Sequence, residues 1–146
     1  MATIKSFTDI EQSRKLAEIL PLESADMVLL HEEPYETSDS KFDGLHQALC
    51  VPFSKYDKSW RQKYKNISYF PCWSLGVLLD VLPNNENIST NLSKGGYRIS
   101  TLEYTNSWFV DYEDETDGLN NCVTSADNPV DVCVDMIVKL NELKML

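Results

Sequence analysis

The sequence predicts an α+β fold of the order helix-strand-strand-helix-strand-strand-helix, with a mainly antiparallel sheet and helices packed on one face. Three observations lead there. Two apolar segments end in Leu-Pro, at residues 16–21 and 78–83, an alternating stretch spans 97–112, and a broad apolar run over 129–144 opens on Asn-Pro. At 146 residues, a single globular domain over 1–146 can bury a sufficient core without disulfides or metal as staples.

The first helix is expected over residues 8–20. Thr8 and Glu11 have capping-box spacing, Ile10, Leu16, Ala17 and Leu20 recur on one face, and Pro21 stops the run. Compact apolar runs at 27–30 and 45–51 read as strands, separated by the polar, turn-rich residues 34–44. Residues 52–66 show no clear period and are read as loop or irregular helix. The next element is a core helix over 72–82, inside Pro-Cys-Trp-Ser-Leu-Gly-Val-Leu-Leu-Asp-Val-Leu-Pro. Only Ser74 and Asp80 break its apolar circumference, so the pattern predicts enclosure on nearly every side.

Residues 84–96 have the Asn, Ser and Gly content of a loop. A hairpin follows, with Tyr97, Ile99 and Thr101 on one strand, Trp108, Val110 and Tyr112 on the other, and a turn near Thr105, Asn106 and Ser107. Residues 122–125 suit a short strand. Asn128 then offers an N-cap, Pro129 a first helical position and Asp131 a first-turn acid for a helix over 129–144. Its polar residues Asp131, Asp135, Lys139 and Glu142 form one stripe. The remaining arc is too wide for one sheet face, so the helix is wedged between sheet and helices or covered by a second copy in a homodimer.

Leu16-Ala-Glu-Ile-Leu-Pro21 echoes Leu78-Leu-Asp-Val-Leu-Pro83. A duplicated helix-strand-strand unit is one reading of this echo, and the frequency of Leu-Pro at helix ends is the other. The segment 71–83, the 97–112 hairpin with Trp108, and Asn128-Pro-Val-Asp-Val-Cys-Val-Asp-Met-Ile-Val-Lys-Leu140 together resemble a group of small uncharacterised proteins from phages and mobile elements of gut bacteria. The similarity spans about the last half of the chain, with a weaker trace at Glu23-Ser-Ala-Asp-Met27. It implies a genomic setting and an accessory role, with no catalytic residues to carry over.

Charge bounds the partners. With 23 acidic against 13 basic residues the net charge is -10, which repels the phosphate backbone of double-stranded nucleic acid and anionic membrane surfaces. The N-terminus lacks the pattern of a secretory signal and no apolar run reaches membrane-spanning length, so a cytoplasmic protein is expected. Sequons at Asn66, Asn87 and Asn91 then read as chance matches. The cysteines Cys50, Cys72, Cys122 and Cys133 show no metal-ligand spacing and read as buried thiols, and no cofactor or metal is expected.

The candidate binding residues are Lys55, Lys58, Trp60, Arg61, Lys63 and Tyr64. Within the eleven positions 55–65 lie five of the 13 basic residues, counting Lys65, interleaved with Tyr56, Trp60 and Tyr64. Cations beside aromatic faces hold phosphates and stack bases, which makes this segment a candidate nucleotide or small-ligand site; solvated loop is its plain alternative. Asp111, Glu113, Asp114, Glu115 and Asp117 form an acidic counterpart. A calcium-loop reading of that run fails, because placing Gly118 at the sixth loop position puts Thr124 where a bidentate acid is required.

Catalysis finds no residue set. His31 and His46 are the only histidine bases, and nothing in the spacing joins either to Cys50 or Cys72 as nucleophile. Trp73 and Trp108 read as packing residues, and Trp60, in polar company, as the exposed anchor if there is one. The expected function is therefore non-catalytic binding of another protein, through an exposed sheet edge, the basic-aromatic segment or the acidic loop. A ligand-binding protein or enzyme using residues 55–65 is the alternative.

Overall fold

The computed structural model describes residues 5–32, 46–55, 67–98 and 103–146. The class is mixed α+β, with all strand pairing antiparallel, and the strands divide between two three-stranded sheets. Two compact units hold them: Phe7–Ser74, and Leu75–Leu146 together with Met1–Ser6. The residues read as one core helix, 72–82, are divided between these units.

In the first unit, α1 (Ile10–Ile19) is followed by β1 (Met27–Glu32), β2 (His46–Leu49) and β3 (Ile67–Cys72), in the sheet order β2-β1-β3. The capping box sits one residue later than the sequence suggests. Asp9 accepts from the Gln12 amide at 2.8 Å and the Gln12 side chain accepts from the Asp9 amide at 3.1 Å. Thr8 is instead drawn into the interior, where its hydroxyl has other partners. Leu16 and Leu20 are buried as the apolar face requires, and full burial of a leucine stabilises by roughly 1.5–3 kcal/mol.

β3 is the strand that the sequence pattern hides. Met27 lies opposite Cys72 and Leu29 opposite Phe70, and these residues form an apolar cluster with Phe7, Ile10 and Ala48. The Arg14 guanidinium lies 5.0 Å from the centre of the Phe70 ring. Pro71 belongs to this strand rather than to a helix start. A proline lacks the N–H of the ladder and is tolerated at a sheet edge, which is where β3 runs.

In the second unit, α2 (Leu75–Val81) leads to β4 (Ile88–Arg98), β5 (Glu103–Asp114), β6 (Cys122–Ala126) and α3 (Pro129–Glu142), with the sheet order β4-β5-β6. α2 is shorter than expected and one-sided. Leu78 and, just beyond the helix, Leu82 are buried, whereas Leu79 is 40% exposed and Gly76 and Asp80 face solvent.

Most of the stretch expected as loop, 84–96, is β4. Thr90 and Leu92 are half-buried and alternate with the exposed Asn91 and Ser93, a period of two diluted by its polar composition. The register shifts between Lys94 and Gly96, at a bulge where Gly95 takes φ 69°, a conformation that glycine adopts freely. Arg98 pairs with Glu103, and Thr105 to Ser107, expected at the turn, lie within β5; Ile99 and Thr101 of the expected first strand fall outside the described residues. Val110 and Tyr112 point inward as the alternation requires.

α3 begins as its sequence indicates. Asn128 accepts from the Asp131 amide at 2.9 Å with Pro129 in the first turn, and Lys5 pairs with Asp131 at 2.9 Å. Its wide apolar arc is taken up by α2, β5 and β6, which leaves Val130, Val132, Cys133, Val134, Met136, Ile137 and Leu140 buried. The wedged alternative accounts for that arc. No helix among the described residues is long and apolar enough to cross a membrane.

Candidate functional site

Of the six candidate binding residues, Lys58, Trp60, Arg61, Lys63 and Tyr64 lie outside the described residues, and Lys55 is described only as the last backbone position of a short 3-10 turn, Phe53–Lys55. That turn is anchored to the first unit. The Phe53 amide donates to the Ala25 carbonyl at 3.1 Å, and its ring lies 6.3 Å from that of Tyr69.

A buried polar network in the first unit has no counterpart in the sequence expectations. The Thr8 hydroxyl meets that of Ser13 at 2.8 Å, accepts from the Trp73 amide at 3.2 Å and lies 3.6 Å from the Cys72 thiol. That thiol donates in turn to the Thr8 carbonyl at 3.4 Å. Beyond it, the Trp73 indole N–H donates to Ser24 Oγ at 2.9 Å, and Asp26 accepts from the Ser74 amide and hydroxyl at 2.9 and 2.5 Å. Small hydroxyls beside a helix cap were its only sequence signal.

The network contains a thiol and hydroxyls, which invites a nucleophile reading, but its chemistry points elsewhere. Burial pushes the Cys72 thiol up from its ordinary value, an effect that outweighs the hydrogen bonds from Thr8 and Ser13 that would lower it. A thiol held protonated is a poor nucleophile. The network satisfies buried polar groups and fixes the passage from α1 into β3 and Trp73.

The other thiols are equally quiet where they are buried. Burial alone drives the Cys133 thiol up to about 12, and burial also raises Cys122, 3.8 Å from the Met136 sulfur, despite Lys139 nearby. Cys50 is exposed, contrary to the reading of all four cysteines as buried. Asn87 and Asn91 are exposed and Asn66 is outside the described set.

In the acidic loop the carboxylates serve their own turns. Asp114 accepts from the Thr116 hydroxyl and amide at 2.6 and 2.9 Å, which holds its carboxyl below the usual range, and Asp117 caps the turn Gly118–Asn120 through the Leu119 amide at 3.1 Å. No group of three or more His, Cys, Asp or Glu side chains suited to a metal occurs among the described residues.

The feature that offers itself to a partner is the β6 edge of the second sheet. β6 reads Cys-Val-Thr-Ser-Ala, with no charge and no proline, and among the described residues it pairs only with β5. Cys122, Thr124 and Ala126 are half-buried toward α3, where the Thr124 hydroxyl donates to the Val132 carbonyl at 3.2 Å; Val123, 45% exposed, and Ser125 face outward. Asp111 is the register partner of Val123 and Phe109 that of Ser125. The acidic loop enters β6 from one end and Asp127 follows it at the other.

The opposite edge is blunted. β4 carries the exposed Lys94, 5.5 Å from the centre of the Trp108 ring, beside its glycine bulge, and lysines and bulges are what sheet edges use to discourage strand addition. An uncharged edge with acidic flanks can accept a further strand, and it can favour a basic one. Comparison of the chain with known protein families, curated proteins and solved structures gives no match.

Proposed function

We propose that this chain is a non-catalytic binding protein that takes up an extended, basic segment of a partner protein along the β6 edge. The setting implied by its resemblance, a phage or mobile element, makes it an accessory protein there. The observation that carries the reading is the contrast between an uncharged, open β6 and the acids around it: Asp111 in the adjoining row, Asp114 at the end of β5, Glu115 and Asp117 in the loop before β6, and Asp127 after it. An added strand gains main-chain hydrogen bonds for affinity, while the flanking charge selects and steers its sequence.

Five strand residues set the scale. At about 0.5–1.5 kcal/mol net per main-chain hydrogen bond, four or five bonds give on the order of 5 kcal/mol before the cost of ordering the peptide. Micromolar binding, about -8 kcal/mol, therefore needs help from charge and from Val123 and Phe109.

Selection of random peptides displayed on phage against the immobilised protein tests this directly. The expected winners are short β-forming segments rich in Lys and Arg, whose binding weakens with added salt and is lost in the Val123→Lys/Ser125→Lys variant. Both positions are exposed, so that variant keeps its stability to within about 0.5 kcal/mol. Peptides that bind the variant as well as the original chain would place the site elsewhere.

A further inference from the structure

The way α3 lies along β6 decides what a strand added to that edge would meet. The Thr124 hydroxyl donates to the Val132 carbonyl at 3.2 Å, and the Cys122 and Met136 sulfurs are 3.8 Å apart. Two residues of strand and four of helix each cover about 6–7 Å, so α3 runs antiparallel beside β6 and in step with it. On one flank of Val132 and Met136 stand Cys133, Ile137 and Leu140, all buried where α3 meets β5 and α2. On the other flank stand Asp135, exposed, and Lys139, half-buried. Among the described residues β6 is an edge strand, so this polar flank overhangs the space beyond it. The Lys139 ammonium agrees with that placement, because its charge acts on the Cys122 thiol against the rise that burial causes.

Neighbouring strands lie about 4.7–4.9 Å apart and their side chains alternate between the two faces. An added strand therefore presents every second side chain to the polar flank of α3, in line with Cys122, Thr124 and Ala126, and the others beside Val123 and Ser125. Asp135 lies level with the stretch from Cys122 to Thr124, and an exposed carboxylate has acceptor positions to spare. Lys139, about one helical turn further on, repels a cation at the Cys122 end. Resting on the assignment of β6 as the binding edge, we propose that the partner strand has a fixed phase: a Lys or Arg beside Thr124 faces α3 and meets Asp135, and apolar side chains lie on the outer face beside Val123. The row beside Cys122, closest to Lys139, takes a neutral side chain.

The test measures binding of a dye-labelled, end-capped nine-residue peptide of alternating Lys and Val to the full chain, by fluorescence anisotropy at low salt. Asp135→Lys is expected to weaken binding on the order of 10-fold and Asp135→Asn by less, with both losses shrinking as salt is added. Glu86→Lys makes the same change of charge at an exposed residue before β4, on the far side of β5, and is expected to alter binding by less than about 2-fold. Binding unchanged by Asp135→Lys, or weakened equally by Glu86→Lys, overturns the phase; loss of binding in Val123→Lys/Ser125→Lys would then still uphold the β6 edge. A peptide that fails to bind the original chain, or that binds Val123→Lys/Ser125→Lys as well, overturns both.

Discussion

The two sheet units hold their helices by different means. In the first, α1 is tied to β3 by a hydroxyl and thiol network around Thr8, alongside a small apolar cluster. In the second, α3 is held by an apolar arc wide enough to meet two strands and a helix at once. The strand orders differ as well: the first strand of the first unit is central in its sheet, whereas the second unit is a simple meander. Shared Leu-Pro helix ends thus sit in units of different topology. The contrast teaches that similar local endings carry little information about pairing, which is decided by which strand faces the polar network and which the apolar arc.

The largest effects should come from each unit's own core. Trp73→Ala removes a fully buried indole and its bond to Ser24, and should cost about 3–5 kcal/mol in denaturant unfolding. Leu140→Ala in the second unit should cost about 2–5 kcal/mol, while the same truncation at the exposed Leu79 stays within about 0.5 kcal/mol. Equal losses at Leu140 and Leu79 would mean that α2 is enclosed as its sequence alone suggests.

Thr8→Val separates polar from apolar support. It preserves shape but leaves the Trp73 amide and the Ser13 hydroxyl without their Thr8 partner, and a loss of about 1–3 kcal/mol is expected. Stability unchanged by that substitution would reduce the network to decoration.

Alkaline titration tests the buried thiols of both units. The folded-state values of Cys72 and Cys133 lie above the ordinary 9.0, that of Cys133 at about 12, so their contribution is intact below about pH 9 and declines as pH rises toward the folded values. Each thiol can steepen the fall by at most about 1.4 kcal/mol per pH unit. Cys133→Ala should flatten this decline, as measured by unfolding at a series of pH values. The smallest effect is at the α3 cap, where Asn128→Ala should cost about 1 kcal/mol.

The legible elements were those in which cap, period and burial agree. α3 was readable because Asn128, Pro129 and Asp131 announce its start and its polar stripe is narrow. The alternation through Trp108, Val110 and Tyr112 marked β5 for the same reason. β3 was hidden because Pro71 and Cys72 run directly toward α2 and imitate its first turn, and a proline in a strand is acceptable only once the strand is known to be an edge. β4 was hidden because Asn, Ser and Gly satisfy a solvated strand as readily as a loop. The β6 edge was expected in kind, as an exposed sheet edge, but its position depends on pairing that only the fold supplies.

Amide hydrogen exchange across β5 and β6 tests the central claim most directly. In the free chain, every second β6 amide should exchange rapidly while the β5 amides from Trp108 to Tyr112, between two strands, are protected, and a selected basic peptide should slow the rapid set on β6. Uniform protection of all β6 amides in the free chain, or no change on adding the peptide, would contradict an open edge that receives a partner strand.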